Sequence, residues 1–161
     1  MVASPTHSQA SNDLFIKLLR RFQEEGVEYV LVGGQAVRLN GFVRATEDVD
    51  VLLKPTRENG EKIIRALSFL QSATELDPAW FAPSESGEVE NIRVADTLLI
   101  DLLFAANGHT FESLKPHIVA LDVEGVTVKL LNIDGLLKTK TDYREKDILD
   151  KAVLVRLRDG V

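Results

Sequence analysis

Asp48 and Asp50 stand one residue apart inside the run "EDVDVLL", where a strand would otherwise be apolar. Burying charge in a strand is costly, so the pair needs a compensating role. Side chains alternate along a strand, so both carboxylates project from one face while Val49 and Val51 enter the other. Like charges this close raise a pKa unless a cation or hydrogen-bond donors offset them, and oxygen ligands on rigid backbone suit Mg²⁺. Asp101 repeats the pattern in "LLIDLLF", an acid among apolar neighbours. If its strand lies beside the first, three carboxylates meet. Such a set could hold two divalent ions, lower the pKa of an attacking hydroxyl and offset charge on a phosphate in flight. That is the chemistry of phosphoryl or nucleotidyl transfer.

Upstream, "YVLVGGQAVRLNG" follows a short strand with Gly33, Gly34 and about two helical turns. Glycines here let backbone approach a triphosphate closely, and the amides opening the helix face that anion. The same pair also serves as a plain tight turn between strand and helix. Other residues carry two readings as well. Asp101 could face solvent or pair with Arg93 across a hairpin, and Arg44, with Thr46, lies where it could reach phosphate or simply face water. Lys138, Lys140 and Arg144 form a basic cluster near the C-terminus. Lys146 with Asp150, and Asp147 with Lys151, read as ordinary i,i+4 helix pairs. Trp80 and Phe81 could stack on a base or anchor a packed loop.

The stretch "GGQAVRLNGFVRATEDVDVLL" resembles the DNA polymerase beta-like nucleotidyltransferase superfamily, whose signature is a glycine pair or Gly-Ser, a short helix, then Asp-x-Asp. It looks most like a bacterial branch with Gly-Gly-x-Ala and Arg-x-Thr-x-Asp-x-Asp, which includes antibiotic-modifying and toxin-type members. Asp101 in "IDLL" matches the later third carboxylate, and "LLNIDGLLKTKTDYREKDILD" matches a segment where relatives place lysines and Arg-x-Lys-Asp. The chain departs at Asn40-Gly41, where many relatives carry His-Gly. What the resemblance implies is transfer of a nucleoside monophosphate from a nucleoside triphosphate to a hydroxyl acceptor, with release of pyrophosphate. It implies Asp48, Asp50 and Asp101 as ligands of two Mg²⁺ ions, with Asp101 accepting the acceptor's proton. Gly33, Gly34, Arg44, Lys138 and Lys140 would then hold the nucleotide. The acceptor is open among a small molecule, an RNA end and a protein hydroxyl. The competing reading is a catalytically inactive nucleotide-binding or regulatory module of the same fold.

The elements that must position these residues read in the order α, β, α, β, α, several strands, then two helices. "SNDLFIKLLRRFQEEG" is a helix with Ser11 or Asn12 as cap, and residues 57–70 form another despite Gly60. Residues 71–87 read as loop. "NIRVAD" with "TLLIDLLFA" forms one hairpin, and "HIVALDVEGVTVKLLN" another that turns near Glu124 and Gly125. Asn132 caps a helix, and an amphipathic helix ends at Gly160. The expected fold is α+β, a mixed sheet with helices mainly on one face. One domain over residues 11–161 follows a disordered segment over 1–10.

Composition narrows the remaining classes. Hydrophobic residues make up 45% and charged residues 27% of the 161, as in ordinary globular chains. No apolar run reaches the roughly 18 residues of a spanning helix, and the N-terminal stretch has no apolar centre of a signal peptide, so a cytoplasmic protein without membrane partners is expected. The absence of cysteine removes disulfides, thiolate zinc sites and a cysteine nucleophile. A net charge of −6 disfavours broad nucleic-acid affinity and tilts the acceptor away from RNA. "DVDVLLKPTREN" lacks the central glycine and terminal glutamate of a calcium loop, and the three histidines, His7, His109 and His117, share no metal-ligand spacing. Dinucleotide, Walker A, Gly-x-Ser-x-Gly and zinc-protease patterns are absent. A homo-oligomer or partner protein could complete acceptor recognition.

Overall fold

The computed structural model describes residues 7–41 and 48–160. The chain forms an α+β fold around one six-stranded mixed sheet of order β3-β4-β2-β1-β6-β5. The elements run α1 (His7–Glu25), β1 (Tyr29–Val32), α2 (Gly33–Leu39), β2 (Asp48–Leu53), α3 (Arg57–Ala66), β3 (Ile92–Ala95), β4 (Leu99–Leu103), α4 (Phe111–Leu114), β5 (Ile118–Val123), β6 (Val126–Leu131), α5 (Ile133–Thr139) and α6 (Glu145–Asp159). β1 pairs antiparallel with β2 and parallel with β6, and β2 pairs parallel with β4. The two expected hairpins, β3 with β4 and β5 with β6, are both antiparallel.

Alternation separates the core face from the site face. Val49, Val51, Ile100 and Leu102 are fully buried and Val94 nearly so. Their neighbours Asp48, Asp50, Arg93 and Asp101 are half-buried or exposed. At β6, Val126, Val128 and Leu130 are buried while Thr127 and Lys129 are exposed. Along α1, Phe15, Leu18, Leu19 and Phe22 recur at helical spacing and are buried, and α1 packs on α3 and β6.

Several boundaries differ from the sequence reading. α1 begins at His7, ahead of the expected Ser11 or Asn12 cap, and residues 1–6 lie outside the described residues. α3 ends at Ala66 instead of near residue 70, and the segment expected as loop holds two 3-10 turns, Gln71–Glu75 and Pro78–Phe81. Thr56 caps α3 by accepting from the Asn59 backbone N–H. The Asn59 side chain, 1% exposed, accepts from the Glu28 N–H and donates to the Glu28 and Lys54 carbonyls. It thereby ties the start of α3 to the end of the β1–β2 pair where β1 begins and β2 stops.

Gly60, which looked like a weakness in α3, is where Phe81 lies against the helix: a Cβ there would sit 2.7 Å from the Phe81 ring. Phe81 is fully buried and packs edge-on against Phe104, with centroids 5.9 Å apart. Gly60→Ala would favour an exposed helix by about 1 kcal/mol. Here we expect it to destabilise the protein by roughly 1–3 kcal/mol through overpacking, read as a lower urea midpoint at unchanged slope.

α6 ends at Gly160 as expected, in the left-handed region at φ +73°. Its buried positions are Asp147, Asp150 and Leu154, while Ile148 and Leu149 are exposed, so two acids form much of the docked face. No described helix is long and apolar enough to cross a membrane.

Candidate active site

The parallel register of β2 and β4 sets Asp50 directly opposite Asp101, and Asp48 opposite Leu99. The antiparallel register of β3 and β4 then sets Arg93 opposite Asp101. Asp50, Asp101 and Arg93 therefore form a row across three strands, on the face turned away from Val49, Val51 and Ile100. On the other side of Asp50, its antiparallel partner on β1 is Val32, the last residue before Gly33.

Burial pushes the Asp50 carboxyl up to about 6, reinforced by a hydrogen bond with Asp101 and by the charges of Asp101 and Asp48, with Lys146 pulling the other way. The pocket thus resists negative charge in the absence of a cation. An acid whose pKa is higher folded than unfolded stabilises the fold in full below its unfolded value, and that stability is lost as pH rises through the folded one. Without metal, Asp50→Asn should therefore gain stability relative to the parent as pH rises from about 4 to about 6, then level off. Paired urea denaturations in EDTA across that window check the sign, since contributions from unaltered acids cancel.

Asp101 pairs with Arg93 across the hairpin, one of the readings its sequence allowed. Arg93 Nη1 lies 3.4 Å from Asp101 Oδ1 and 3.5 Å from Oδ2. Its Nη2 also lies 3.8 Å from Asp48 Oδ2, a contact the sequence did not suggest. Asp48 and Asp101 are thus joined through a guanidinium. Among the described residues no three acidic or histidine side chains close into a ready cation cage. The expected three-carboxylate meeting is present as a touching pair, Asp50 and Asp101, with Asp48 linked by Arg93.

The donor set fits a hard divalent ion. All three acids offer oxygen from adjacent rigid strands, burial and the neighbouring acids raise the Asp50 carboxyl, and a cationic side chain already bridges the other two. Gly33 adds close backbone approach. Its φ is +66°, and a Cβ there would fall 2.1 Å from Asp50 Oδ2, so glycine is required by conformation and by the carboxylate beside it. Gly34 follows, buried in the first turn of α2.

The basic residues divide. Arg44 and Thr46 lie outside the described residues. Lys138 is exposed in the last turn of α5. Lys140, expected near phosphate, is 6% exposed, and its Nζ lies 3.1 Å from Asp150 Oδ2, itself on a 5% exposed residue. That charge neutralises an acid within the α5–α6 junction, where Lys140 forms a buried ion pair. Asp150 thus takes Lys140, and Asp147 accepts from the Thr141 N–H and hydroxyl, while Lys151 pairs with Asp142. The expected helical partners are replaced by contacts from the preceding loop, which curls over the start of α6.

Lys146 was read only as a helix pair, yet it lies near enough to Asp50 to favour its charged form. The signal for it was the Arg-x-Lys-Asp segment, whose placement at the start of α6 puts the lysine on the site side. Trp80 and Phe81 also divide: Phe81 is the buried anchor, and Trp80, 51% exposed, lines a groove of about 570 Å³ that Arg93 also borders. Asn40 donates from Nδ2 to the Ala36 and Leu131 carbonyls, tying the end of α2 to β6 at the position where the chain departs from the resembled pattern.

No protein-family model matches the chain, and no curated protein sequence matches it closely. Solved structures do share its fold. A Thermotoga maritima protein provisionally called a nucleotidyltransferase superposes with a TM-score of 0.56 at 15% identity, covering 92% of this chain and 91% of its own. An antigenic nucleotidyltransferase-like protein from Paracoccidioides brasiliensis gives 0.54 at 15%, covering 96% of this chain and 79% of its own. The antibiotic-resistance factor ANT(2'')-Ia gives 0.52 at 14%, covering 96% and 92% respectively. The chain has the nucleotidyltransferase fold.

Proposed function

We propose that a chain with this fold and this carboxylate row is a nucleotidyltransferase that moves a nucleoside monophosphate from a nucleoside triphosphate to a hydroxyl acceptor. The observation that carries the reading is the register that sets Asp50 beside Asp101 with Gly33 stripped of a side chain against them. In the reaction the acceptor oxygen bonds to the α-phosphorus as the bond to the β-phosphate oxygen breaks, and pyrophosphate leaves. Mg²⁺, bound as one or two ions by Asp48, Asp50 and Asp101, would supply electrostatic stabilisation of the phosphate oxygens and of the leaving group.

The chain's own residues do the rest. Asp101 takes the acceptor's proton, standing opposite Arg93, which borders the groove. Gly33 and Gly34 admit the phosphates to the backbone at the start of α2, while Lys138, Lys146 and Arg44 supply positive charge. The chain's −6 net charge favours a small-molecule or protein hydroxyl over an RNA end. The antibiotic-resistance neighbour supports including small hydroxylated molecules first. We place the protein in the cytoplasm.

One observation favours the second reading, an inactive nucleotide-binding or regulatory module: Arg93 already neutralises Asp48 and Asp101. Incubation with Mg²⁺, each labelled triphosphate and a panel of acceptors separates the two. Pyrophosphate release that requires an acceptor and is lost in Asp50→Asn supports transfer. Nucleotide binding without turnover across the panel supports the module.

A further inference from the structure

We propose that Arg93 is a built-in counter-ion that stands between Asp48 and Asp101 until a divalent cation takes its place, whereupon its side chain moves into the adjoining groove. The inference rests on the metal-dependent reading above and concerns how the site is loaded.

Backbone pairing holds the Arg93 Cα beside Asp101, so only its side chain can move. The grip on that side chain is weak. Its contacts of 3.4, 3.5 and 3.8 Å exceed the roughly 2.7–2.9 Å of a strong charge-assisted hydrogen bond, and the side chain is 54% exposed. Ion pairs of that kind contribute little to stability. A divalent ion carries twice the charge and bonds carboxylate oxygen at about 2.0–2.1 Å, so it prevails once present. Both cannot share the same oxygens, because a guanidinium within that distance of the ion meets strong like-charge repulsion.

The groove offers the displaced guanidinium a destination. Arg93 is part of its lining, together with Trp80, Glu88 and Glu90, so a change of rotamer carries the charge from two aspartates to two glutamates and an aromatic face. Arg93 then lies on the acceptor side of the row. Until metal arrives it relieves repulsion between Asp48 and Asp101.

Calorimetric titration of the full chain with Mn²⁺ tests the competition. Arg93→Gln should bind up to about fivefold more tightly than the parent, the factor lost when a weakly held competitor occupies about four-fifths of the sites, while Arg93→Lys stays within about twofold. Displacement itself is read from the Arg93 Nε–Hε NMR signal, assigned by its absence in Arg93→Gln. It should shift on addition of Mg²⁺, a diamagnetic ion, in the parent and not in Asp48→Asn/Asp101→Asn. Unchanged or weaker Mn²⁺ binding by Arg93→Gln, or an Arg93 signal that ignores saturating Mg²⁺, overturns the inference and leaves the transferase reading intact. A parent protein that binds neither ion, with Arg93→Gln equally silent, overturns the metal site and with it both readings.

Discussion

Asp50→Asn should abolish nucleotidyl transfer while making the metal-free protein more stable. The Asp50 carboxyl is raised to about 6 by burial, by its hydrogen bond with Asp101 and by the nearby acids. The amide keeps the shape and still hydrogen-bonds Asp101, but it brings no negative charge to a divalent ion. We expect turnover to fall by about 10³-fold, the scale of losing a preorganised electrostatic group at a developing charge. Stability should move the other way. At pH 8 the native state holds Asp50 ionised against its surroundings, and the amide removes that cost, for a gain of roughly 1–2 kcal/mol after allowance for screening by water. Urea denaturation in EDTA and an acceptor-dependent pyrophosphate assay on one preparation read both effects. Activity lost together with stability would mean that Asp50 holds the fold and would remove it from the chemistry.

Gly33→Ala should be among the most damaging single substitutions in the chain. The residue sits at φ +66°, where a side chain is strained, and the added Cβ would fall 2.1 Å from Asp50 Oδ2. The obstacle is a short carboxylate on a central strand, so relief requires movement of Asp50 or of the β1–α2 junction. Strain and overlap together predict a loss of roughly 2–4 kcal/mol. Divalent-ion binding should fall with it, because the displaced carboxylate is one of the proposed ligands. Asp50→Ala separates the two parts. In the Gly33→Ala/Asp50→Ala double variant the overlap is gone and only the φ strain remains, so the two stability changes should be non-additive by about 1 kcal/mol or more. Additive changes would show that the glycine is needed for its backbone alone.

Much of this architecture was legible because it depends on short-range rules. The alternation in "DVDVLL" and "LLIDLLF" placed the acids on one strand face each, since the pleat leaves no other choice. The turn residues Glu124 and Gly125, the Asn132 cap and the Gly160 stop followed from local backbone demands, and each stands where it was expected. Gly33 was singled out as an approach for phosphate. Its nearest neighbour is Asp50, a fact that depends on the β1–β2 register.

Errors arose where a local pattern had a non-local competitor. Lys140, read as one of a basic cluster that would reach phosphate or else be solvated, is buried against Asp150 by the docking of α6 on α5. The i,i+4 pairs of α6 gave way to Thr141, Lys140 and Asp142, because the preceding loop folds back over the helix start. Gly60 looked like a helix defect until Phe81 was seen to occupy the space of its missing side chain.

By itself the sequence determined which residues lie on which face of each element, because periodicities of 2 and 3.6 are properties of the backbone. Beyond the two hairpins it could not determine which strands are neighbours, because pairing across tens of residues is settled by packing of the whole core. Only the tertiary structure put β4 beside β2, setting Asp101 against Asp50 and bringing Asp48 within reach of the Arg93 that the β3–β4 hairpin already places beside Asp101. Three scattered acids and one arginine thereby became a single electrostatic unit, since charge interactions act through distance in space and not along the chain.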